Sequence, residues 1–465
     1  MAFSDIVEFE YTKTLAEEGV IFSQKKLAYM YLEGKGVKRN DSKAAKWMRA
    51  AAEKGDVESI FIMSLIYEVG IGVKPDMVES FKWCRNAAEN GHVRAQNSLG
   101  QKYEHSEGIE KDYDEAFKWY ESSSKQGDVE GRYNLGRMYI KGTGTQKDIE
   151  KGLSIIASLA EEGDANAQNY LGVAYDDGII VDRNCDTSIK WFKLAIENES
   201  ILAMNNLGTM YFQGNGVKRD FEEAVKWFRL SAEHGYEDAQ CNLGMMYENG
   251  WGIPQDYKEA VRLYRLAAES GSADGQCNLG VMYDNGTGVR MNTKKAVELF
   301  RLAVEQECTL AEYNLGVMYE YGRGVNTNFE EAARLYELAA KKGNKDAQFD
   351  LGKMYDNGTG VIQDHKKAVE WYTLSAEQGN VDAQISLAVS FLLGEGVKKN
   401  PVEAIRLFKL AAEQDSSDAF YSLGIIYFDG RDAPQDLDMA LKMFLTAANL
   451  GNESAIKFLE DNDLV

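Results

Sequence analysis

The sequence predicts an all-α solenoid of about twelve helix-turn-helix repeats, each 36 residues long. Three observations predict it. An aromatic residue returns every 36 positions, twelve times without a slip, from Tyr31 to Tyr427, with Phe391 standing once for Tyr. Four positions before this anchor the residue is Leu in eleven of the twelve, and nine positions after it the residue is Asn or Asp in all twelve. A fixed period of this length marks stacked units, none of which can bury its apolar face alone.

The elements follow in order. Residues 1–19 read as an N-terminal capping helix, with an N-cap at Ser4 and a closing glycine at Gly19. Residues 20–451 hold the twelve repeats, within one continuous solenoid spanning 1–465. In the first helix of each, the Leu and the anchor lie four apart and share a face. The residue three before the anchor is Gly in nine repeats and Ala or Ser in the rest. A glycine inside a helix costs about 1 kcal/mol against Ala, so its recurrence predicts a closely approaching neighbour. Three residues after the anchor comes Gly in eleven repeats, with Ser106 the exception, where a left-handed cap ends a helix. A second Gly two residues on appears in ten repeats and tightens the loop. No Lys-Ser/Thr follows, as a phosphate-binding loop requires.

The Asn or Asp nine residues past the anchor reads as the N-cap of a second helix, not as a catalytic carboxylate. Glu223, Glu259, Glu331 and Glu403 lie three residues further on and predict capping boxes, and Pro401 suits the first helical position. The second helix carries a small residue and, three on, a large one, as in Ala224 and Trp227. It closes at a glycine such as Gly235 or Gly343; Glu199, Glu307 and Asp415 depart from that rule. Residues 452–465 read as a C-terminal capping helix, the start of a thirteenth first helix with Ala455 in phase and a polar tail, Glu460-Asp461-Asn462-Asp463. Terminal units of a stack need such a polar outer face.

Composition narrows the function. The net charge is −22, from 52 basic and 74 acidic residues, which argues against nucleic acid and against adhesion to anionic membrane. No apolar run is long enough to insert in a membrane. The first residues lack a basic region followed by an apolar core, so a full precursor of this sequence is expected in the cytoplasm. The five cysteines are odd in number and form no CxxC, and they read as reduced thiols. The four histidines fall in different repeats and phases, so no metal or other cofactor is expected. No nucleophile motif supports the rival reading of a hydrolase, and the chain is read as non-enzymatic.

Leu-Gly-x-Met-Tyr, then Gly-x-Gly-Val, then Asp-x-x-x-Ala-x-x-Trp and Ala-Ala-Glu-x-Gly together resemble the Sel-one-like repeat (SLR), a helix-pair relative of the tetratricopeptide repeat. The resemblance covers residues 20–451. It implies a right-handed superhelical α-solenoid acting as an adaptor or scaffold for protein binding, or a dedicated inhibitor of one toxin or effector. It also implies that the first helices line a concave groove, which the positions six and five before the anchor, and one and two after it, would face. Asn134, Asn206, Asn242, Asn278 and Asn314 occupy the −5 position, and Asp350 follows them. In peptide-binding relatives an Asn at that place clamps an extended backbone; within the scaffold it would bond a neighbouring turn.

At +1 the residue is acidic in seven repeats, and Glu248, Asp284, Glu320 and Asp356 run consecutively through repeats seven to ten. Such a stripe favours a protein or peptide partner with a basic segment; the alternative is a solvated acidic face. At −6, Tyr313 and Phe349 flank the run and are expected as exposed anchors. Toward the C-terminus the stripe turns apolar at Leu392, Leu393 and Phe428, a candidate surface for self-association.

Overall fold

The computed structural model describes residues 3–462. It contains 26 α-helices, from Phe3–Glu17 to Glu453–Asp461, and no strand among the described residues. The all-α solenoid expected from the 36-residue period is the fold observed. The chain divides into two compact units, Met1–Asp220 and Phe221–Val465. Within each unit consecutive helices pack on one another in chain order.

The local rules read from the sequence hold. The residue three past each anchor is left-handed, including the non-glycine Ser106 at φ 67°. The second glycine of the loop answers two constraints. Gly288 has φ 67°, and a Cβ there would lie 2.3 Å from the Tyr257 carbonyl oxygen at the start of the preceding second helix. Glu199, Glu307 and Asp415 keep a positive φ, of 65°, 60° and 59°, where the other repeats place glycine. The Asn or Asp nine residues past the anchor caps the second helix; Asp256 accepts from the Lys258 and Glu259 N–H groups, for example.

Two expectations are corrected. The capping boxes do not close, because the N–H of each N-cap residue is already used: it donates to the anchor's own carbonyl in all twelve repeats, at 2.8–3.1 Å. The glutamates pair along their helices, Glu223 with Lys226, Glu259 with Arg262, Glu331 with Arg334 and Glu403 with Arg406. Ser4 is not an N-cap but already lies inside the helix Phe3–Glu17. At the other end the helix Glu453–Asp461 is capped by Asn452 and buries Ala455, as the phase required, while Asp463 of the polar tail lies outside the described residues.

The core has a layer that the sequence pattern did not single out. The residue seventeen after each anchor, on the second helix, is buried in all twelve repeats: Met48, Cys84, Tyr120, Ile156, Phe192, Phe228, Tyr264, Phe300, Tyr336, Tyr372, Phe408 and Phe444. This ring is what the helical glycine admits. A Cβ on Gly244 would stand 2.6 Å from Tyr264 Cε1, and one on Gly280 equally close to Phe300 Cε1. Ala28 and Ser64 stand opposite the unringed Met48 and Cys84, but Ala388 stands opposite Phe408, and Gly136 faces Ile156. At seven of these glycines, Gly100, Gly172, Gly244, Gly280, Gly316, Gly352 and Gly424, a cost of about 1 kcal/mol in helix propensity is offset by a buried aromatic contact.

Candidate first-helix face

The candidate site lies on the first helices Glu237–Asn249, Ala273–Asn285, Thr309–Tyr321 and Lys345–Asn357, which carry repeats seven to ten. Each ends in a left-handed glycine, which sets where the +1 and +2 side chains leave the helix. Their N-caps vary: Ser272 and Asn344 accept a backbone N–H, whereas Tyr236 and Cys308 make no side-chain cap.

Four of the −5 residues bond along the stack to the −6 residue of the preceding repeat. Asn134 Nδ2 donates to Asn97 Oδ1 and Asn206 Nδ2 to Asn169 Oδ1, each over 3.0 Å. Asn314 Nδ2 faces Cys277 Sγ at 3.7 Å, and the Tyr313 hydroxyl donates to Asp350 Oδ2 over 3.2 Å. Asn134 is buried; Asn206, Asn242, Asn278 and Asn314 are half-buried. These contacts hold neighbouring repeats in register, and the half-buried amides keep part of their surface open.

The +1 acids divide by what stands at +17. Where that residue is Tyr, the acid accepts its hydroxyl: Glu104 from Tyr120 at 2.8 Å, Glu248 from Tyr264 at 2.7 Å and Glu320 from Tyr336 at 2.6 Å. Asp356 stands beside Tyr372 and pairs with His365 Nδ1 at 2.7 Å, which raises the His365 pKa. Burial, with the carboxylate beside them, pushes the four tyrosine hydroxyls above their ordinary range. Where +17 is not Tyr, the acid takes a cation: Glu68 with Lys102 at 2.6 Å, Asp284 with Arg323 at 2.7 Å, and Asp176 with Arg183 at 3.6 Å. Asp284 stands apart in the run from Glu248 to Asp356. Its Oδ2 meets Arg323, but its Oδ1 is buried without a hydrogen bond, and burial raises its pKa.

Tyr313 and Phe349 are not free-standing anchors. They are half-buried, with ring centroids 5.6 Å from Tyr336 and 5.9 Å from Tyr372, and so form the wall over the +17 layer. The exposed members of the face are at +2, where Val69, Tyr321 and Leu393 are 70%, 63% and 62% exposed. Of the apolar C-terminal stripe, Leu392 is half-buried and Phe428 packs edge-on against Phe458 at 5.1 Å. A separate hollow of about 650 Å³, lined by Lys294, Arg301, Tyr319 and the loop from Gly322 to Asn328, contains none of these residues. Among the described residues no cluster of three His, Cys, Asp or Glu could hold a metal ion, and no helix is long and apolar enough to cross a membrane.

The Sel1 repeat model matches twelve consecutive segments, residues 21–56 through 417–452. Among solved structures, c5321, described as a protective antigen of uropathogenic Escherichia coli with an SLR fold, is 31% identical. That match covers 96% of this chain and 88% of that one, with a TM-score of 0.55. A Sel1 repeat protein from Oxalobacter formigenes is also 31% identical, over 66% of this chain and 88% of that one, with a TM-score of 0.47. The immunity protein Pa5087 from Pseudomonas aeruginosa is 19% identical over 47% of this chain and 83% of its own, with a TM-score of 0.32. A search of the curated proteins finds no match.

Proposed function

The chain belongs to the Sel1 repeat family, and from that premise we propose that it is a non-enzymatic scaffold that holds a partner protein on the first-helix face of repeats seven to ten. The observation that carries this reading is Asp284. A buried carboxylate oxygen without a hydrogen bond is uncommon in a folded protein, because leaving it unpaired costs about 1–3 kcal/mol. Asp284 Oδ1 is such an atom, set midway along the run from Glu248 to Asp356; Asp176 Oδ1, at the same phase of repeat five, is another. A partner's Lys or Arg would supply the missing donor if the carboxylate turned outward from its pairing with part-exposed Arg323. Half-buried Asn242, Asn278 and Asn314, with Tyr313 and Phe349, would flank it, and exposed Tyr321 would reach the partner beyond. A basic segment fits both the acidic run and the net charge of −22.

Reversing the charge of Glu248 or Glu320 is a poor test, because each also holds a buried hydroxyl. Asp284→Ala is cleaner: its partner Arg323 is part-exposed and returns to water. Immobilised wild type and Asp284→Ala are compared for proteins retained at unit stoichiometry from native extract. Loss of one such protein in the variant, with retention by wild type that weakens as salt rises, supports the reading. Equal retention by both removes the site, and no stoichiometric partner for wild type removes the scaffold reading itself.

A further inference from the structure

Cys308 occupies the N-cap of the helix Thr309–Tyr321, eleven residues before its anchor, and Cys277 sits at −6 on the helix Ala273–Asn285 of the preceding repeat. These two phases meet elsewhere in the stack. The pair one repeat earlier is Cys241 and Ser272, whose Sγ and Oγ lie 3.9 Å apart, and near the N-terminus it is Phe61 and His92, stacked with centroids 4.6 Å apart. In repeats eight and nine the same two phases carry thiols: Cys308 packs against the core cluster that contains Cys277, and each thiol shifts the titration of the other. Cys277 is buried, whereas Cys308 is part-exposed, 3.9 Å from Asp274 Oδ1.

We propose that Cys308 and Cys277 form a dithiol site that a hydroperoxide oxidises to an intrachain disulfide, with Cys308 as the attacking thiolate and Cys277 as the resolving thiol. The division of roles follows from place. Cys308 meets solvent and stands at the N-terminus of a thirteen-residue helix, where the helix dipole favours a thiolate. The Cys277 thiol, with the N–H groups of Ala311 and Leu310, holds Cys308 below the usual thiol range, while Cys308 and burial push Cys277 up. Cys84 and Cys241 are buried and pushed up to about 12, so neither competes.

The chemistry balances. The Cys308 thiolate attacks the O–O bond of the hydroperoxide; one oxygen stays on sulfur as sulfenic acid and the other leaves as an alcohol, or as water from hydrogen peroxide, after taking a proton. The Cys277 sulfur then displaces water from that sulfenic acid. Two thiols lose two electrons and two protons, and the peroxide gains them. Cys277 Sγ also faces Asn314 Nδ2 at 3.7 Å, so closing the disulfide would disturb the −5 ladder. Any effect on partner binding rests on the function proposed above, but the thiol chemistry does not.

The experiment uses the full chain, reduced, freed of reductant and treated with near-stoichiometric hydrogen peroxide. Remaining thiols are blocked, and the non-reduced digest is read by mass spectrometry. The expected product is a peptide pair joined through Cys277 and Cys308, two hydrogens lighter than its parts and released by dithiothreitol. Cys308→Ser abolishes it and folds normally, since Ser200, Ser272 and Ser416 already cap at this phase. Cys277→Ser leaves a sulfenic acid on Cys308 that dimedone traps. At pH 6, Cys308 is alkylated about tenfold faster than part-exposed Cys185, because a thiolate favoured by its surroundings persists to lower pH. Oxidation that falls on Cys185, that links separate chains, or that leaves Cys277 free beside a sulfinylated Cys308 overturns the proposal, as does equal alkylation of the two thiols.

Discussion

The Tyr264 hydroxyl donates to Glu248 Oε2 over 2.7 Å, joining the fully buried second-helix ring of repeat seven to the acid that follows its anchor. The same bond joins Tyr120 to Glu104 and Tyr336 to Glu320, and Asp356 stands beside Tyr372. All four tyrosines at this phase have an acid at +1. Where the buried residue has no hydroxyl, +1 is apolar at Leu32, Ile140, Phe212, Leu392 and Phe428, or carries one of the three acids that take a cation. The hydroxyl and the acid thus act as one unit inside the scaffold.

A double-mutant cycle tests that unit. Tyr264→Phe removes the donor and leaves Glu248 half-buried without it, at an expected cost of about 1–2 kcal/mol. Glu248→Leu alone strands the buried hydroxyl at a similar cost. The pair together reproduces Leu392 with Phe408 of repeat eleven and should recover most of the loss. Urea-unfolding midpoints of the four proteins check this. Additive losses would mean that the hydroxyl and the carboxylate are not coupled.

Alkaline pH probes the same bond. Burial first, then the bond and charge of Glu248, raise the Tyr264 hydroxyl above its ordinary value. In the unfolded chain a tyrosine titrates near about 10. Since the folded value is the higher one, the stabilisation is fully present below about pH 10 and is lost as pH rises through the folded value. The wild-type midpoint should therefore fall between pH 9 and pH 11 more steeply than that of Glu248→Leu/Tyr264→Phe. Parallel curves would refute the assignment.

The glycine of the first helix should resist a methyl group. In Gly280→Ala the new Cβ would stand 2.6 Å from the Phe300 ring, a rigid neighbour, so a loss of about 1–3 kcal/mol is expected from overpacking. Repeat one pairs Ala28 with Met48, whereas repeat eleven keeps Ala388 opposite Phe408. Adding Phe300→Met should return part of the stability, as thermal unfolding followed by circular dichroism would report. A Gly280→Ala protein as stable as wild type would show that the helix pair separates freely.

How much of this was legible follows from distance along the chain. The anchors, the left-handed glycines and the second-helix caps depend on residues within about ten positions of each other, and a fixed period repeats that local signal twelve times. The +17 ring facing the helical glycine is twenty residues from it, and a small-then-large pattern that stopped at Trp227 missed buried Phe228 beside it. The acidic stripe was visible as composition on one face, but its tyrosine partners were not, although the coincidence of Tyr264, Tyr336 and Tyr372 with Glu248, Glu320 and Asp356 lay in the sequence all along. Likewise Cys308 did not suggest Cys277 as a neighbour, because their contact joins two repeats at unlike phases.

The strained caps give the last prediction. Glu307 holds φ 60° at a position where most repeats have glycine, and a left-handed backbone costs a residue with a Cβ about 1–2 kcal/mol. The native glycines at this phase, such as Gly271 and Gly343, have open space where a Cβ would stand, so the strain lies in the backbone and not in packing. Glycine in the unfolded chain regains entropy, which offsets part of the gain. Glu307→Gly should therefore raise stability by about 0.5–1 kcal/mol, and Asp415→Gly by a similar amount, read as higher urea midpoints. The Lys342 ammonium donates to the Glu307 carbonyl oxygen at 2.8 Å, a backbone contact that the substitution preserves. A midpoint that falls would show that the Glu307 side chain contributes more than its backbone strain removes.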